Sequence, residues 1–299
     1  MHSPHLYFLH VLSPLHAGTG QGSGVIDLPI AREKSTGIPY LPGSSVKGVL
    51  RDKSGDNDLT YLLFGPKTEQ ASDYAGSLQI ADARLLLLPV RALRGTFAWV
   101  TSPYVLRRFA RDARDVGFSD LPSIPTLADD VCAVSSQTVL KVDLQRNGRS
   151  ETRVVLEDLD LKPQTEDAAQ WATWLSTRIF PKSDTEWSGM LAPRLCIVSD
   201  NVFTFLLSTA IEVIARNRLN DNKTVAQGAL WYEEALPTES VLYGLAVFSP
   251  TAKVREHLEN EAALLDRLNE LARGAMQFGG KATVGRGLCR MRLMRAKEG

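Results

Sequence analysis

The sequence has 299 residues, of which 44% are hydrophobic and 23% charged, so it can bury a sizeable core in one elaborated domain or two small ones. No basic segment leads into a long apolar run, and no segment is long enough to span a bilayer, so we expect no export, no membrane insertion and a cytoplasmic location. The net charge is zero, and the three cysteines form no C-x-x-C pair, which argues against a disulfide framework and a thiolate metal site.

Apolar periodicity and turn residues predict a chain that begins and ends with a strand. The first strand is predicted at residues 6–12, and a helix at 45–52 follows a glycine turn and an extended run. The later predicted elements are strands within 76–90 and at 96–101, a helix at 104–116, hairpin strands at 139–144 and 153–159 around Asn147-Gly148, helices at 167–180 and 201–215, a strand at 240–248, a helix at 253–276 and a strand at 288–294. Because strands and helices do not alternate regularly, the pattern predicts an α+β fold.

The stretch before and within the first predicted helix is rich in groups suited to ligand binding. Four glycines allow close approach of the backbone to a ligand: Gly18, Gly20, Gly22 and Gly24. Gly43, Ser44 and Ser45 are typical of a helix start, whose free amides can hold a phosphate. Asp27 lies between these features in an otherwise apolar run, where an unpaired charge points to a function.

Two glycine motifs suggest nucleotide binding, but neither is complete. Residues 18–23 have a serine where the dinucleotide fingerprint requires its third glycine, and a P-loop ending at Gly280 and Lys281 would need a glycine at Ala275 and a hydroxyl at Ala282. No acidic residue lies between residues 276 and 297. The basic residues of that stretch predict a track for phosphates: Lys281, Arg286, Arg290, Arg292, Arg295 and Lys297.

Three blocks, in this order, resemble the RAMP superfamily of CRISPR proteins. The first contains SPLHAGTG at 13–20, IDLPIARE at 26–33 and GIPYLPGSSVKGVLR at 37–51. The second runs from ARNRLN at 215–220 to GALWYEEALP at 228–237 and is similar to the backbone-forming subunits of the type III-B Cmr effector complex. The third is FGGKATVGRG at 278–287. The resemblance therefore spans the whole chain.

The resemblance implies a ferredoxin-like (RRM-like) palm with an inserted finger region and a thumb β-hairpin. It divides the chain into a first part of the palm with the catalytic loop at 1–58, a finger-like insertion at 59–188 and a second part of the palm at 189–299. The thumb hairpin is expected at about 216–237, and a glycine-rich loop at 279–287.

The function implied by the resemblance is that of a backbone subunit. Copies of the chain would polymerise along crRNA as an open helical filament, join other Cmr subunits and cleave complementary target RNA at regular intervals. Two alternatives stay open. One is a catalytically silent subunit that only binds crRNA, and the other is a stand-alone RAMP endoribonuclease that processes precursor crRNA.

The resemblance also implies a catalytic set. Target cleavage would depend on Asp27, which would hold a divalent cation (Mg or Mn), and His16 would be available for proton transfer. Tyr232, with Glu233 or Glu234, is expected near the cleavage site of an adjoining subunit. From the residues alone, Asp27 and His16 could equally be turn or capping residues, and residues 231–234 could be an ordinary amphipathic strand.

RNA contacts are implied for the helix start, the thumb and the glycine-rich loop. The thumb would stack aromatic or apolar side chains on bases, and the first helix would hold guide phosphates. The residues concerned are Ser44, Ser45, Lys47, Arg51, Trp231, Gly279, Gly280, Lys281, Gly285 and Arg286. From the residues alone, Lys47 and Arg51 could be plain surface charges, and the glycine-rich loop could be a tight turn before the last strand.

Overall fold

The structure is a computed structural model that describes residues 3–22, 25–67, 69, 73–165, 168–249 and 261–295. The strands are β1 (Ser3–Val11), β2 (Tyr40–Leu41), β3 (Leu78–Ile80), β4 (Ala83–Arg91), β5 (Phe97–Thr101), β6 (Val131–Val134), β7 (Lys141–Arg146), β8 (Arg149–Leu156), β9 (Leu159–Gln164), β10 (Leu195–Val198), β11 (Glu212–Leu219), β12 (Val225–Ala235), β13 (Val241–Phe248), β14 (Ala275–Gln277) and β15 (Leu288–Met294). The helices are α1 (Gly43–Ser54), α2 (Asp58–Phe64), α3 (Pro103–Val116), α4 (Ala168–Ile179), α5 (Thr185–Arg194), α6 (Asp200–Thr209) and α7 (Glu261–Leu271).

Strand β1 lies inside a mixed sheet of thirteen strands within the described residues, between β13 and β15 and antiparallel to both. Four consecutive residues of β1, Leu6 to Leu9, are at most 1% exposed. Because successive side chains of a strand point to opposite faces, both faces of the sheet are covered here. Helices α3 and α4 contact β1, and α7 contacts both β15 and α1.

The centre of the sheet has the ferredoxin-like order β15-β1-β13-β4. Helix α1 follows β1 in the chain, and α7 precedes β15 after the short strand β14. This arrangement confirms the predicted α+β class. The first strand, β1, also pairs with the last strand, β15, with His10 opposite Arg290. The loop that follows β1 and the glycine-rich loop that precedes β15 therefore lie at the same end of the sheet.

The predicted finger-like region at 59–188 is joined to the palm through the sheet itself. Strand β4 lies within that region, yet it pairs with β13, and the sheet continues through β5, β10, β6, β9, β8 and β7. Residues 85–88 of β4 are fully buried, which requires cover on both faces. The three-part division of the chain stays a prediction, but the sheet does not break at residue 58 or at residue 188.

Three predicted details differ from the structure. The helix predicted at 201–215 ends at Thr209, because Glu212–Leu219 pairs with β12 as a strand. The helix predicted at 253–276 ends at Leu271, and Ala275–Gln277 pairs with β15. Residues 253–260 of that prediction lie outside the described residues, as does Gly24. Helix α1 begins at Gly43 without a side-chain cap, and the Gly43 amide donates instead to Oδ1 of Asp82 at 2.8 Å.

The hairpin predicted around Asn147-Gly148 is confirmed. Strands β7 and β8 pair from Lys141↔Val154 to Arg146↔Arg149. Asn147 has φ 49° and Gly148 has φ 74°, as a type I′ turn requires. Within the described part of the chain, no helix combines the length and the apolar character that a membrane crossing requires.

Candidate active site

The loop of residues 15–31 lies against the base of the β11–β12 hairpin, which occupies the position predicted for the thumb. Leu15 bridges Leu236, and Leu28 bridges Glu233 in parallel. The Leu28 amide donates to the carbonyl of Tyr232 at 3.0 Å, and the Glu234 amide donates to the carbonyl of Leu28 at 3.0 Å. The loop thus adds short extended segments to the hairpin, which brings residues separated by about two hundred positions into contact.

Asp27 is exposed and fixed by one hydrogen bond. Its Oδ2 accepts the backbone amide of Tyr232 at 2.8 Å. No donor within the described residues is assigned to Oδ1, so this oxygen is available to a ligand. The carboxylate predicted to be functional is therefore both oriented and accessible.

His16 is buried, belongs to the same loop as Asp27 and has a defined ring orientation. Its Nδ1 lies 2.7 Å from the carbonyl oxygen of Glu234, and a carbonyl can only accept, so Nδ1 carries the proton. The neutral ring then has a lone pair on Nε2. A Cβ atom at Gly18 would lie 2.5 Å from Nε2, so only glycine fits at that position. This steric requirement explains one glycine of the N-terminal turn.

Glu233 and Glu234 point to opposite faces of β12, and Glu233 faces the glycine-rich loop. Its Oε1 accepts hydrogen bonds from Nε1 of Trp231 at 2.7 Å and from Nζ of Lys281 at 2.9 Å, and Nε of Arg216 lies 3.5 Å from Oε2. Burial alone would raise the pKa of Glu233, but these donors and charges hold that pKa below its ordinary value. Glu233 therefore binds the hairpin to the loop as a buried carboxylate.

Glu234 faces the loop that carries Asp27. Its Oε2 accepts the backbone amide of Ile30 at 3.1 Å, and its Oε1 lies 3.2 Å from Nη2 of Arg32. Arg32 was not among the predicted site residues, although it belongs to the quoted block at 26–33. The signal available in the sequence was a charged residue directly after the apolar run of residues 28–31.

The two aromatic residues of the predicted thumb do not share a face. Trp231 is half-buried against Glu233, whereas Tyr232 is 41% exposed beside Ala215. Leu230 and Val213, exposed by 58% and 49%, lie on the same face as Tyr232 and were not predicted. The face of the hairpin that carries Tyr232 is therefore the one with more exposed apolar surface, and the stacking of either ring on a base stays a prediction.

The sequence predicts that Tyr232, with Glu233 or Glu234, lies near the cleavage site of an adjoining subunit, and this stays a prediction. In the structure, the amide of Tyr232 binds Asp27 of the same chain, and the carbonyl of Glu234 binds His16 of the same chain. The base of the hairpin therefore contacts the loop of Asp27 and His16 within its own chain.

The glycine-rich loop has three glycines with positive φ, namely Gly279, Gly285 and Gly287, and a Cβ atom at Gly287 would lie 1.9 Å from the carbonyl oxygen of Phe278. Gly279 has φ 70°, and a Cβ atom there would lie 2.5 Å from the carbonyl oxygen of His16. Gly285 has φ 77° and open space around it. Gly280 lacks a positive φ, and its amide donates to the carbonyl of His16 at 2.9 Å. Arg286 is mostly buried, with Nη1 3.5 Å from Glu212, so it joins the loop to β11.

Helix α1 and the two glycine segments form one cleft of about 340 Å³. It is lined by Ala17, Gly18, Pro42, Ser45, Gly48, Val49, Gly279 and Gly280. The cleft thus joins the predicted RNA-binding residues of the helix start to those of the C-terminal loop. Its walls are small side chains and backbone, which suits close contact with a polynucleotide.

The predicted basic residues of α1 have different surroundings. Lys47 has no hydrogen-bond acceptor among the described residues, and partial burial, with the nearby charge of Arg51, lowers the pKa of Lys47. Arg51 donates to the carbonyl of Pro66 at 2.8 Å and lies over the ring of Tyr61. Ser44, at the start of the helix, is exposed. Lys47 is therefore better placed than Arg51 to bind a phosphate.

Metal binding by the chain itself is limited. Among the described residues, no group of three or more His, Cys, Asp or Glu side chains could hold a metal ion. Asp27 offers one carboxylate with a single available oxygen. A hard cation at Asp27 would therefore take most of its oxygen ligands from RNA and water, which is compatible with the coordination that Mg²⁺ prefers.

Comparisons with known proteins agree with this architecture. The sequence matches the RAMP superfamily over residues 8–290. It is 35% identical over 297 residues to the CRISPR system Cmr endoribonuclease Cmr4 of Pyrococcus furiosus, covering 97% of this chain and 95% of that protein. The crystal structure of oligomeric Cmr4 from P. furiosus has a TM-score of 0.76 and 28% identity, covering 98% of this chain and 99% of that one.

A chain in the apo state of the type III-B Cmr-beta complex has a TM-score of 0.73 and 19% identity, covering 99% of this chain and 98% of that one, and shares the fold. The family match begins in β1 and ends in β15, so it includes both glycine segments, the hairpin and the loop of Asp27. Since the likeness extends over the whole architecture and not over one motif, this chain belongs to the RAMP superfamily and, within it, to the group of the Cmr4 proteins.

Proposed function

We propose that this chain is the backbone subunit of a type III-B CRISPR effector complex in the cytoplasm. Copies of it would assemble along crRNA with other Cmr subunits and cleave complementary target RNA at regular intervals. The observation that carries this proposal is the junction of Asp27, His16 and the hairpin base in a chain 35% identical to a Cmr endoribonuclease. A silent backbone subunit would not need an exposed carboxylate held at this junction.

The reaction is an attack of a ribose 2′-oxygen on the adjacent phosphorus, which forms a 2′,3′-cyclic phosphate while the bond to the 5′-oxygen of the next nucleotide breaks and that oxygen takes a proton from water. His16 has its Nδ1 proton bound to Glu234, so Nε2 can accept the proton of the 2′-hydroxyl. Asp27 receives its orientation from the amide of Tyr232. The two groups belong to one loop that is fixed on one strand, which keeps their spacing constant.

A divalent cation, Mg or Mn, is proposed at the free oxygen of Asp27. When bound, such an ion stabilises the negative charge that develops on the phosphate oxygens. The contribution of this chain is one anionic oxygen at a fixed position. The remaining coordination positions suit phosphate oxygens of the RNA and water.

RNA would be held by the cleft and by the exposed face of the hairpin. Ser44, Ser45 and Lys47 of α1 face guide phosphates together with the backbone of Gly279 and Gly280. On the hairpin, Tyr232 and Leu230 offer exposed side chains to bases, and stacking of a base on an aromatic ring such as that of Tyr232 contributes about 1–3 kcal/mol. Lys281 and Arg286 act mainly through their carboxylate partners, which fix the loop.

The test is target cleavage by a reconstituted complex with Asp27→Ala in every copy. We expect cleavage of matched RNA to be lost while target affinity stays nearly unchanged, since phosphate contacts dominate affinity. Asp27→Asn keeps the shape and removes the charge, so it separates loss of charge from loss of folding. Cleavage at the wild-type rate by either variant would contradict the assignment, and precursor crRNA processing by the isolated chain would favour the stand-alone endoribonuclease.

A further inference from the structure

Glu234 uses both carboxylate oxygens to hold the segment of residues 15–33, which contains His16 and Asp27 and is called the catalytic loop below. Oε2 accepts the amide of Ile30 at 3.1 Å, and Oε1 pairs with Nη2 of Arg32 at 3.2 Å. The side chain of Glu234 is 12% exposed and that of Arg32 is 27% exposed. With both oxygens engaged on the loop, Glu234 is not directed at a ligand of Asp27.

Arg32 is itself fixed by three segments of the chain. Its Nη1 donates to the carbonyl of Gly37 at 3.1 Å and lies 3.4 Å from the carbonyl of Leu207 in α6. The next residue, Glu33, accepts hydrogen bonds from Nη1 of Arg108 in α3 at 2.7 Å. The C-terminal end of the catalytic loop is therefore anchored to the hairpin by Arg32 and to the body of the fold by Glu33.

The strand that Arg32 holds also orients both reactive groups. The carbonyl of Glu234 binds His16, and the amide of Tyr232 binds Asp27. A shift of β12 along the loop would therefore displace Asp27 and His16 together. In oriented reactions a displacement of about 1 Å can reduce the rate about a hundredfold.

We propose that the ion pair between Arg32 and Glu234 is a latch that sets the register of the catalytic loop on the hairpin, so that both are positioning residues for RNA cleavage. This inference rests on the proposed function. It assigns Glu234 a different role from the catalytic one predicted from the sequence, and it adds Arg32 to the site.

The experiment measures cleavage rate and target affinity separately in the reconstituted complex. The variants are Arg32→Ala, Glu234→Gln and the two combined, with Arg32→Lys as the conservative change. Each single variant is expected to lower the single-turnover cleavage rate about 10- to 100-fold with target affinity within about threefold. The double variant should be no slower than the slower single one, because both remove the same contact. Arg32→Lys should restore part of the rate.

The matched control is Arg267→Ala, which removes a pair of equal length, 3.2 Å, between Arg267 and Glu270 on α7, away from the loop. This variant should leave the cleavage rate unchanged. A second measurement is amide hydrogen exchange of residues 26–33 in the assembled complex, which should be faster in Arg32→Ala than in the wild type and the control.

Three results would overturn the latch. The first is a wild-type rate for Arg32→Ala, and the second is a double variant whose loss equals the product of the single losses, since Glu234 would then act independently of Arg32. The third is unchanged exchange of residues 26–33 in Arg32→Ala. If the wild-type complex does not cleave RNA, the proposed function fails, and the exchange measurement still decides whether the latch exists.

Discussion

Trp231 and Tyr232 are neighbours in the sequence, yet Trp231 donates through Nε1 to the buried carboxylate of Glu233 at 2.7 Å while Tyr232 is 41% exposed on the opposite face of β12. Successive side chains of a strand point to opposite faces, so the two residues have different roles. Trp231 stabilises the attachment of the hairpin to the glycine-rich loop, and Tyr232 is available to RNA.

Tyr232→Ala should therefore weaken or misplace the cuts in a matched target without lowering the melting temperature. A base stacked on this ring contributes about 1–3 kcal/mol. Trp231→Ala should lower the melting temperature, because the charged Glu233 loses a hydrogen bond worth about 1.5–3 kcal/mol and the packing of the ring is lost. Mapping of RNA ends and thermal unfolding of both variants distinguish the two effects. The reverse pattern would mean that the stacking face is wrongly assigned.

Mixed filaments test whether each copy cuts independently. Because Asp27, His16 and the base of the hairpin belong to one chain, a copy with Asp27→Ala should lose its own cut and leave the others in place. The loss should be proportional to the fraction of mutant copies, and the remaining cuts should keep one constant interval. The positions of the cuts are read by sequencing the RNA products. Irregular spacing that follows the nucleotide sequence would indicate a sequence-reading ribonuclease instead.

Chelation tests the cation proposed at Asp27. Since the described residues offer this site one carboxylate, removal of divalent cations with EDTA should stop cleavage while the filament stays assembled. Addition of Mg²⁺ or Mn²⁺ should restore the rate. Size-exclusion chromatography of the treated complex is the control for assembly. An unchanged rate in EDTA would remove the cation from the mechanism even if Asp27 is required.

Two neighbouring glycines should differ in their tolerance of side chains. Gly279→Val should disrupt the loop, because φ is positive and the new Cβ would lie 2.5 Å from the carbonyl of His16. Gly280→Ala should leave the fold intact, since φ is not positive and the nearest atom, Cδ2 of His16, lies 3.4 Å from the new Cβ. Circular dichroism and crRNA binding of both variants check this order. Equal folding of the two variants would contradict the geometry.

The buried carboxylate of Glu233 predicts a loss of stability in acid. Its pKa is lower in the folded protein than the ordinary value of 4.5, so its ionised form stabilises the fold above that value, and this stabilisation is lost as the pH falls through the folded pKa. Wild type should melt at a higher temperature than Glu233→Gln at pH 7, and the difference should shrink below pH 4.5. A difference that stays constant across this range would exclude the ionised form as the cause.

The apolar run of β1, the Asn147-Gly148 turn and the three blocks of family resemblance are local features, and each could be identified along the chain. The prediction for the helix at 201–215 failed at its end, because residues 212–215 are compatible with a helix until pairing with β12 selects a strand. The extent of the sheet was also missed. Pairing of β4 with β13 joins segments more than 150 residues apart, and no local pattern specifies such a partner.

The α+β class follows from the periodicity of the sequence, and the superfamily, with Asp27 and His16 as its expected site residues, follows from three motifs that resemble that superfamily. The three-dimensional arrangement of the strands is needed to see that Glu233 holds Lys281 while Glu234 holds Arg32, and that Tyr232 is the more exposed of the two aromatic residues at 231 and 232. Alternation predicts that neighbours on a strand point to opposite faces, but not which face meets which partner. Which partner each face contacts depends on residues that are about two hundred positions apart in the sequence. These residues meet only after β13 and β15 have paired with β1.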